Sequence, residues 1–296
     1  MALFGNYNTP GRGVLKTPHE KRPFFKFWEV YFRHAWQLMG LNLLYFIFLI
    51  PLFATLLLAS ENLKWLALSV TAGIMGPATA AMTRVARNYS QERHTFLWHD
   101  FFHSFKLNFK QGLIMGYIDT VAIISFVIGV PIYQQMALQN STMYIPYVIC
   151  LACMLVFFMM HFYIYQMICS TNLSMKQILR NALFLVSIGM KKTIFTLLTS
   201  LFIIIFNYLM LLVNPGIGIA LVIFFPFTFL TFVACFNCYP VIRKHVIQPY
   251  YDQLGEENPE NAGLTPAEGE ALFEDKAAEE TAPPAASKSS KRKTIR

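Results

Sequence analysis

Two stretches of this chain carry no charge over lengths that a soluble fold has no means to cover. No Asp, Glu, Lys or Arg falls between Asp119 and Lys176, or between Lys192 and Arg243. Each stretch is about twice the roughly 20 apolar residues with which one helix crosses a bilayer. Each therefore reads as a hairpin of two helices in lipid. Backbone N–H and C=O groups in hydrocarbon must be satisfied within their own segment, so the spans are helical. Composition points the same way. Of 296 residues, 55% are hydrophobic and 14% charged, against about 25% charged in a soluble domain.

Hydropathy predicts an all-α membrane protein with six spans, at about 36–59, 64–83, 112–136, 143–168, 193–213 and 217–240. The placement of cations tests this independently, because Lys and Arg collect on the cytoplasmic side. Segments 1–35, 84–111, 169–192 and the region after 240 hold 23 of the 24 Lys and Arg. The opposite connectors hold only Lys64. An even number of spans with both termini in the cytoplasm satisfies both patterns. The expected localisation is the cell membrane. No cleavable signal peptide is expected, since the first 23 residues are polar. The formal charge of +8 hides an asymmetry, since ten of 16 acidic residues follow residue 251. Cations flanking apolar spans match anionic headgroups, and no nucleic-acid partner is expected.

Three segments on the basic side have amphipathic helical spacing. In 24–36, Phe24, Phe27, Trp28, Tyr31, Phe32 and Trp36 oppose Lys26, Glu29 and Arg33. In 95–110, Trp98, Phe101, Phe102, Phe105 and Phe109 oppose His99, His103, Lys106 and Lys110. Such faces suit a helix lying among headgroups. In 174–190, Ser174 and Gln177 have capping-box spacing ahead of an apolar run; this helix either lies on the membrane or packs beneath the bundle. Residues 1–35 thus form an N-terminal segment with an interfacial helix, and 36–251 the transmembrane domain. Residues 252–296, rich in Glu, Ala, Pro, Ser and Lys, read as a disordered tail. That tail is either simply solvated or docked to anionic lipid through Lys288, Lys291, Arg292 and Lys293. No internal repeat is evident in the residues.

Three motifs taken together carry a family resemblance. Leu3-Phe4-Gly5 with Pro10-Gly11 and Gly13-Val14 opens the chain. Gly76-Pro77-Ala78-Thr79-Ala80-Ala81 closes the second span. Phe96-Leu97-Trp98-His99-Asp100-Phe101-Phe102, continuing through Gln111, fills the next loop. Over roughly residues 1–250 the chain resembles the YesL-like family of bacterial multi-pass membrane proteins, a domain of unknown function. The resemblance implies no catalytic or ligand residues. It implies a gene-neighbour link to ATP-driven carbohydrate uptake, and hence components of such ABC-type transporters as partners.

Candidate positions follow from chemistry that lipid makes costly. Asp119 is the one acid inside a predicted span, and a carboxylate at mid-bilayer costs about 2.5–3.5 kcal/mol. It lies about seven residues past the start of its span, roughly 10 Å deep at ~1.5 Å per residue. His161 lies about seven residues before the end of the next. An antiparallel hairpin brings them to one depth, so they are expected to pair, as helix–helix glue or as a proton or cation relay. Ala72, Gly76 and Ala80 form a small-residue stripe, and Pro77 frees the carbonyl of Gly73. The stripe reads as a packing seam, or the freed carbonyl lines a small polar site with Thr79 and Thr83. Trp28, Arg84, Arg87, Arg93, Trp98, His99 and His103 are candidate headgroup or partner contacts. His99 and His103 have a spacing that can hold a metal ion, although a polar face at headgroup level accounts for them. Cys150/Cys153 and Cys235/Cys238 fall at different depths, so a shared metal site is not expected; nor is a cofactor.

The function expected is that of a non-enzymatic accessory or regulatory component of carbohydrate uptake. The alternatives are a small-solute transporter or permease subunit, and a membrane-embedded enzyme. Few polar residues line the spans (Asp119, His161, Gln166 and Asn207 among them), which disfavours a hydrophilic route, and no catalytic set is visible.

Overall fold

The computed structural model describes residues 22–58, 60–256 and 258. The opening motif around Leu3–Gly13 and most of the tail expected from 252 lie outside the described residues. Among the described residues all regular structure is helical. The order is α1 (Pro23–Arg33), α2 (Ala35–Leu58), α3 (Glu61–Ser90), α4 (Leu97–Leu107), α5 (Phe109–Gln139), α6 (Tyr144–Ser170), α7 (Met175–Ile188), α8 (Met190–Val213), α9 (Pro215–Phe224), α10 (Pro226–Ile242) and α11 (Gln248–Leu254). A π-helical turn joins α10 to α11. The tail was expected to begin at 252, but Asp252–Leu254 still belong to α11.

Among the described residues, four helical segments are long and apolar enough to cross a membrane: Ala35–Thr55, Phe109–Gln139, Ser141–Ser170 and Met190–Val213. A fifth is counted if α9 and the helices after it, bent by 46°, form one span. The expected span at 64–83 lies within α3. α3 packs against α2, α4, α5, α6 and α10, and Ala78, Ala80, Ala81, Val85 and Ala86 are completely buried. Small residues in this C-terminal half let the neighbouring helices approach closely.

The expected continuous span at 217–240 is broken at Phe225. Pro226 has no N–H to donate to the carbonyl of Val222. The side chain of Asn42, fully buried in α2, takes over: its Nδ2 donates to the Val222 and Ile223 carbonyls, at 3.3 and 2.7 Å. Its Oδ1 accepts from the backbone N–H of Thr228 at 2.9 Å. One amide side chain thus satisfies both sides of the break.

A structural unit recurs that the residues do not reveal. Three times a short amphipathic helix meets a long one across a single residue: α1–His34–α2, α4–Asn108–α5 and α7–Gly189–α8. The three break residues share one backbone conformation: φ −109°, ψ 15° at His34, φ −99°, ψ 12° at Asn108, and φ −90°, ψ 21° at Gly189. This is the bridge region, open to many residue types. The repeat is written in backbone geometry, and three different residues occupy its hinge.

The short helices pack on the bundle rather than resting only on its surface. In α1, Phe27 and Tyr31 meet Phe229 and Phe232 of α10, with ring centroids 5.2–6.0 Å apart. In α4, Phe101 is completely buried, and both Phe101 and Phe105 contact Phe48 of α2. In α7, capped by the reciprocal Ser174–Gln177 box, Ile178, Ala182 and Leu185 are buried. Each helix still turns large apolar residues outward: Phe24, Phe25 and Phe32 on α1, Trp98 and Phe102 on α4, Phe184 and Ile188 on α7.

Candidate functional site

The antiparallel pairing of α5 with α6 brings the two polar groups of the hairpin together. His161 Nε2 lies 2.8 Å from Asp119 Oδ1, and Tyr165 donates its hydroxyl to Oδ2 at 2.5 Å. His161 Nδ1 lies 2.9 Å from the Phe157 carbonyl oxygen. That oxygen can only accept, so Nδ1 carries a proton. The contact between Nε2 and Oδ1 then needs one more proton, whichever atom holds it. The pair is either imidazolium and carboxylate or imidazole and carboxylic acid, and its net charge is zero in both. This neutrality makes the pair tolerable among apolar side chains, where an isolated carboxylate is costly. Tyr165 was not singled out from the sequence, although its position four residues after His161 places it on the same helical face.

Beside this cluster lies a cavity of about 200 Å³ between α3, α6, α8 and α10. Thr79 and Thr83, His161, Tyr165 and Gln166, Ser200 and Thr231 contribute its polar lining. Asp119 stands one layer back, behind His161 and Tyr165. Thr79 Oγ1 donates to the Met75 carbonyl at 2.8 Å and also meets the Tyr45 hydroxyl at 2.9 Å. Thr83 donates to the Thr79 carbonyl at 2.7 Å. Gln166 Nε2 donates to the carbonyls of Phe162 and Ala234, at 2.5 and 3.1 Å.

The expected small-residue stripe divides between two neighbours. Gly76 sits in a seam with α5, where an added methyl group would stand 1.9 Å from the carbonyl oxygen of Gly112. Gly116 closes the seam one turn on, against the Gly73 carbonyl that Pro77 frees. That carbonyl therefore faces α5, while Thr79 and Thr83 line the cavity; the two halves of the proposed polar site are separate. Ala80 turns to α6, its carbonyl accepting from the Cys169 thiol at 2.9 Å. Ala72 is half-buried. Gly112 and Gly116 were not singled out, although their spacing of four was visible.

The remaining candidates scatter. Trp28 stacks on Phe32 and leans on Phe229. Arg84 and Arg93 are half-buried. Arg87, expected to reach headgroups, is instead buried at 5% exposure with its guanidinium 5.1 Å from the Tyr239 ring centroid. Its Nε and Nη1 have no hydrogen-bond partner. His99 and His103 are exposed and stacked 5.9 Å apart next to Trp98. Among the described residues no group of three His, Cys, Asp or Glu could hold a metal ion.

Fold and site together define a helical bundle with several membrane-length apolar helices and a partly buried acid–imidazole pair. Residues 58–130 match the model of a family described as a protein of unknown function, DUF624. The matched segment runs from the end of α2 into α5, and so includes the glycine seam and Asp119. No curated protein and no solved structure matches the chain.

Proposed function

We propose that the chain is a YesL-like integral protein of the cell membrane with six spans and both termini cytoplasmic. In this reading it acts, without enzymatic chemistry, as an accessory or regulatory component of carbohydrate uptake. Five spans correspond to the four long apolar helices and the bent pair. The sixth is α3, whose C-terminal half is enclosed by its neighbours. The distribution of Lys and Arg supports the orientation. The carbohydrate link rests on the family resemblance. The observation that carries the accessory role is the double-faced build of α4. Phe101 anchors it in the bundle while Trp98 and Phe102, 63% and 42% exposed, are held outward beside His99 and His103. A rigidly seated aromatic and basic surface suits a headgroup layer and a protein partner within it.

The test is purification from native membranes in mild detergent with identification of the co-purifying proteins. Sugar-transporter subunits in near-equal amount, lost on Trp98→Ala with Phe102→Ala, are the expected result. Recovery of the protein alone across several detergents and growth sugars counts against the accessory role. The second reading is a small-solute transporter, favoured by the Asp119–His161 pair one wall away from a cavity. Loss of uptake by Asp119→Asn at a normal protein level would favour it.

A further inference from the structure

We infer that the cavity between α3, α6, α8 and α10 is a binding site for a neutral, membrane-dissolved alcohol that enters sideways from the lipid between α6 and α8. The inference rests on the membrane-spanning reading and is independent of the accessory role.

The polar lining is almost closed upon itself, and what remains open defines the ligand. Three of the four aliphatic hydroxyls donate back to the carbonyl four residues earlier: Thr79 to Met75, Thr83 to Thr79 and Thr231 to Phe227. The fourth, Ser200, does not; its Oγ has no partner although the residue is 1% exposed. The second open atom is Gln166 Oε1, on a residue 2% exposed. Its orientation is forced, because the amide nitrogen already serves two carbonyls that can only accept. Leaving a buried oxygen unpaired is costly. Both residues line the cavity, and a ligand hydroxyl that donates to Gln166 Oε1 and accepts from Ser200 would supply both missing partners.

Charge and access narrow the class. The one ionisable pair at the wall, His161 with Asp119, is neutral overall and its ring nitrogens are both engaged. Nothing in the lining balances a charged head, so a phospholipid phosphate or a fatty carboxylate is excluded by desolvation. The outer wall includes Phe158 and Ile204, 37% and 45% exposed at the middle of α6 and α8. Mid-span positions face hydrocarbon, so the approach is through lipid. A volume of about 200 Å³ exceeds the ~150 Å³ cavity that admits benzene. It takes a hydroxyl head and the first few carbons, and a longer tail lies outward between the two helices.

The experiment uses the full-length protein in phosphatidylcholine nanodiscs and a primary alkanol carrying a photoreactive diazirine on its chain. Labelled residues are mapped by mass spectrometry, with the unlabelled alkanol and its methyl ether as competitors. The ether can accept from Ser200 but cannot donate to Gln166. The expected result is saturable labelling near Phe158 and Ile204, displaced about threefold to tenfold better by the alkanol than by the ether. Ser200→Ala should weaken labelling by a similar factor, and Ile204→Trp, a lipid-facing change that fills the mouth, should abolish it. Equal competition by ether and alkanol, non-saturable labelling, or labelling unchanged in a folded Ser200→Ala protein overturns the proposal. If Ser200→Ala fails to fold, the ether comparison and Ile204→Trp decide the matter alone.

Discussion

Gly76 and Gly112 bring α3 and α5 into direct backbone contact. A methyl group on Gly76 would lie 1.9 Å from the Gly112 carbonyl oxygen, and one on Gly112 would lie 2.7 Å from Cα of Pro77. Neither obstacle is a flexible side chain, so the helices themselves would have to part. Gly76→Ala is expected to destabilise the bundle by about 3 kcal/mol or more, at or beyond the upper end of overpacking costs. Gly129→Ala is the control within α5. Its methyl group would meet nothing closer than 3.9 Å, so it should be neutral or gain up to about 1 kcal/mol. Melting temperatures in one detergent check both, and an unchanged melt for Gly76→Ala would refute the seam.

The Asp119–His161 pair should show strong energetic coupling. His161→Phe leaves a largely buried carboxylate with Tyr165 alone, at a cost of about 3–5 kcal/mol. Replacing both partners, Asp119→Leu with His161→Phe, removes the charge as well as its partner and should cost less than His161→Phe by itself. A double-mutant cycle on thermal stability reads the coupling. Additive single effects would mean that the two groups do not act as a unit.

His34, at the first hinge, should make stability sensitive to acid. Its ring stacks on Tyr89 with centroids 4.9 Å apart, and both ring nitrogens are buried without partners. Burial first, then the neighbouring Arg33 cation, hold its pKa below the usual 6.5 despite the opposing pull of Glu92. The unfolded chain therefore binds more protons than the folded one between the lowered value and 6.5. The stabilisation from a neutral His34 is complete above pH 6.5 and declines as pH falls through the lowered value. In His34→Phe, which retains the ring stack, this component of the acid slope should vanish. An unaltered slope would place the acid sensitivity elsewhere.

Thiol chemistry should sort the five cysteines by position. Cys153 is exposed on α6 and Cys150 half-buried, while Cys169, Cys235 and Cys238 are buried. A lipid-soluble maleimide should label Cys153 in the native protein, and a charged, membrane-impermeant one should not. The buried three should react only after denaturation. Ready labelling of Cys235 by the charged reagent would contradict the packing of α10.

Much of the architecture can be read from the residues because it follows from local rules. The charge-free stretches delimit α5 with α6 and α8 with α9 and α10. The meeting of Asp119 with His161 follows from hairpin register alone. What the residues conceal depends on distant partners. Asn42 satisfies carbonyls about 180 positions away, and no local pattern marks it for that task. Gly112 and Gly116 have the right spacing, but only the packed bundle shows that α3 opposes them. Ser200 resembles every other hydroxyl in a span until its missing back-bond is seen. The three hinges escape because His, Asn and Gly share a backbone conformation and nothing else.

The enclosure of α3 also bears on how the chain is made. In the six-span reading this helix carries Arg84 and Arg87 in its C-terminal half, where Ala78, Ala80, Ala81, Val85 and Ala86 are enclosed by other helices. Part of that enclosure comes from helices synthesised later, among them α10, whose Tyr239 covers the Arg87 guanidinium. Until α10 emerges from the ribosome, α3 is held by α2, α4, α5 and α6, and Arg87 lacks its Tyr239 cover. A chain cut short before α10 should therefore be recognised by membrane quality-control proteases, even though most of its spans are intact.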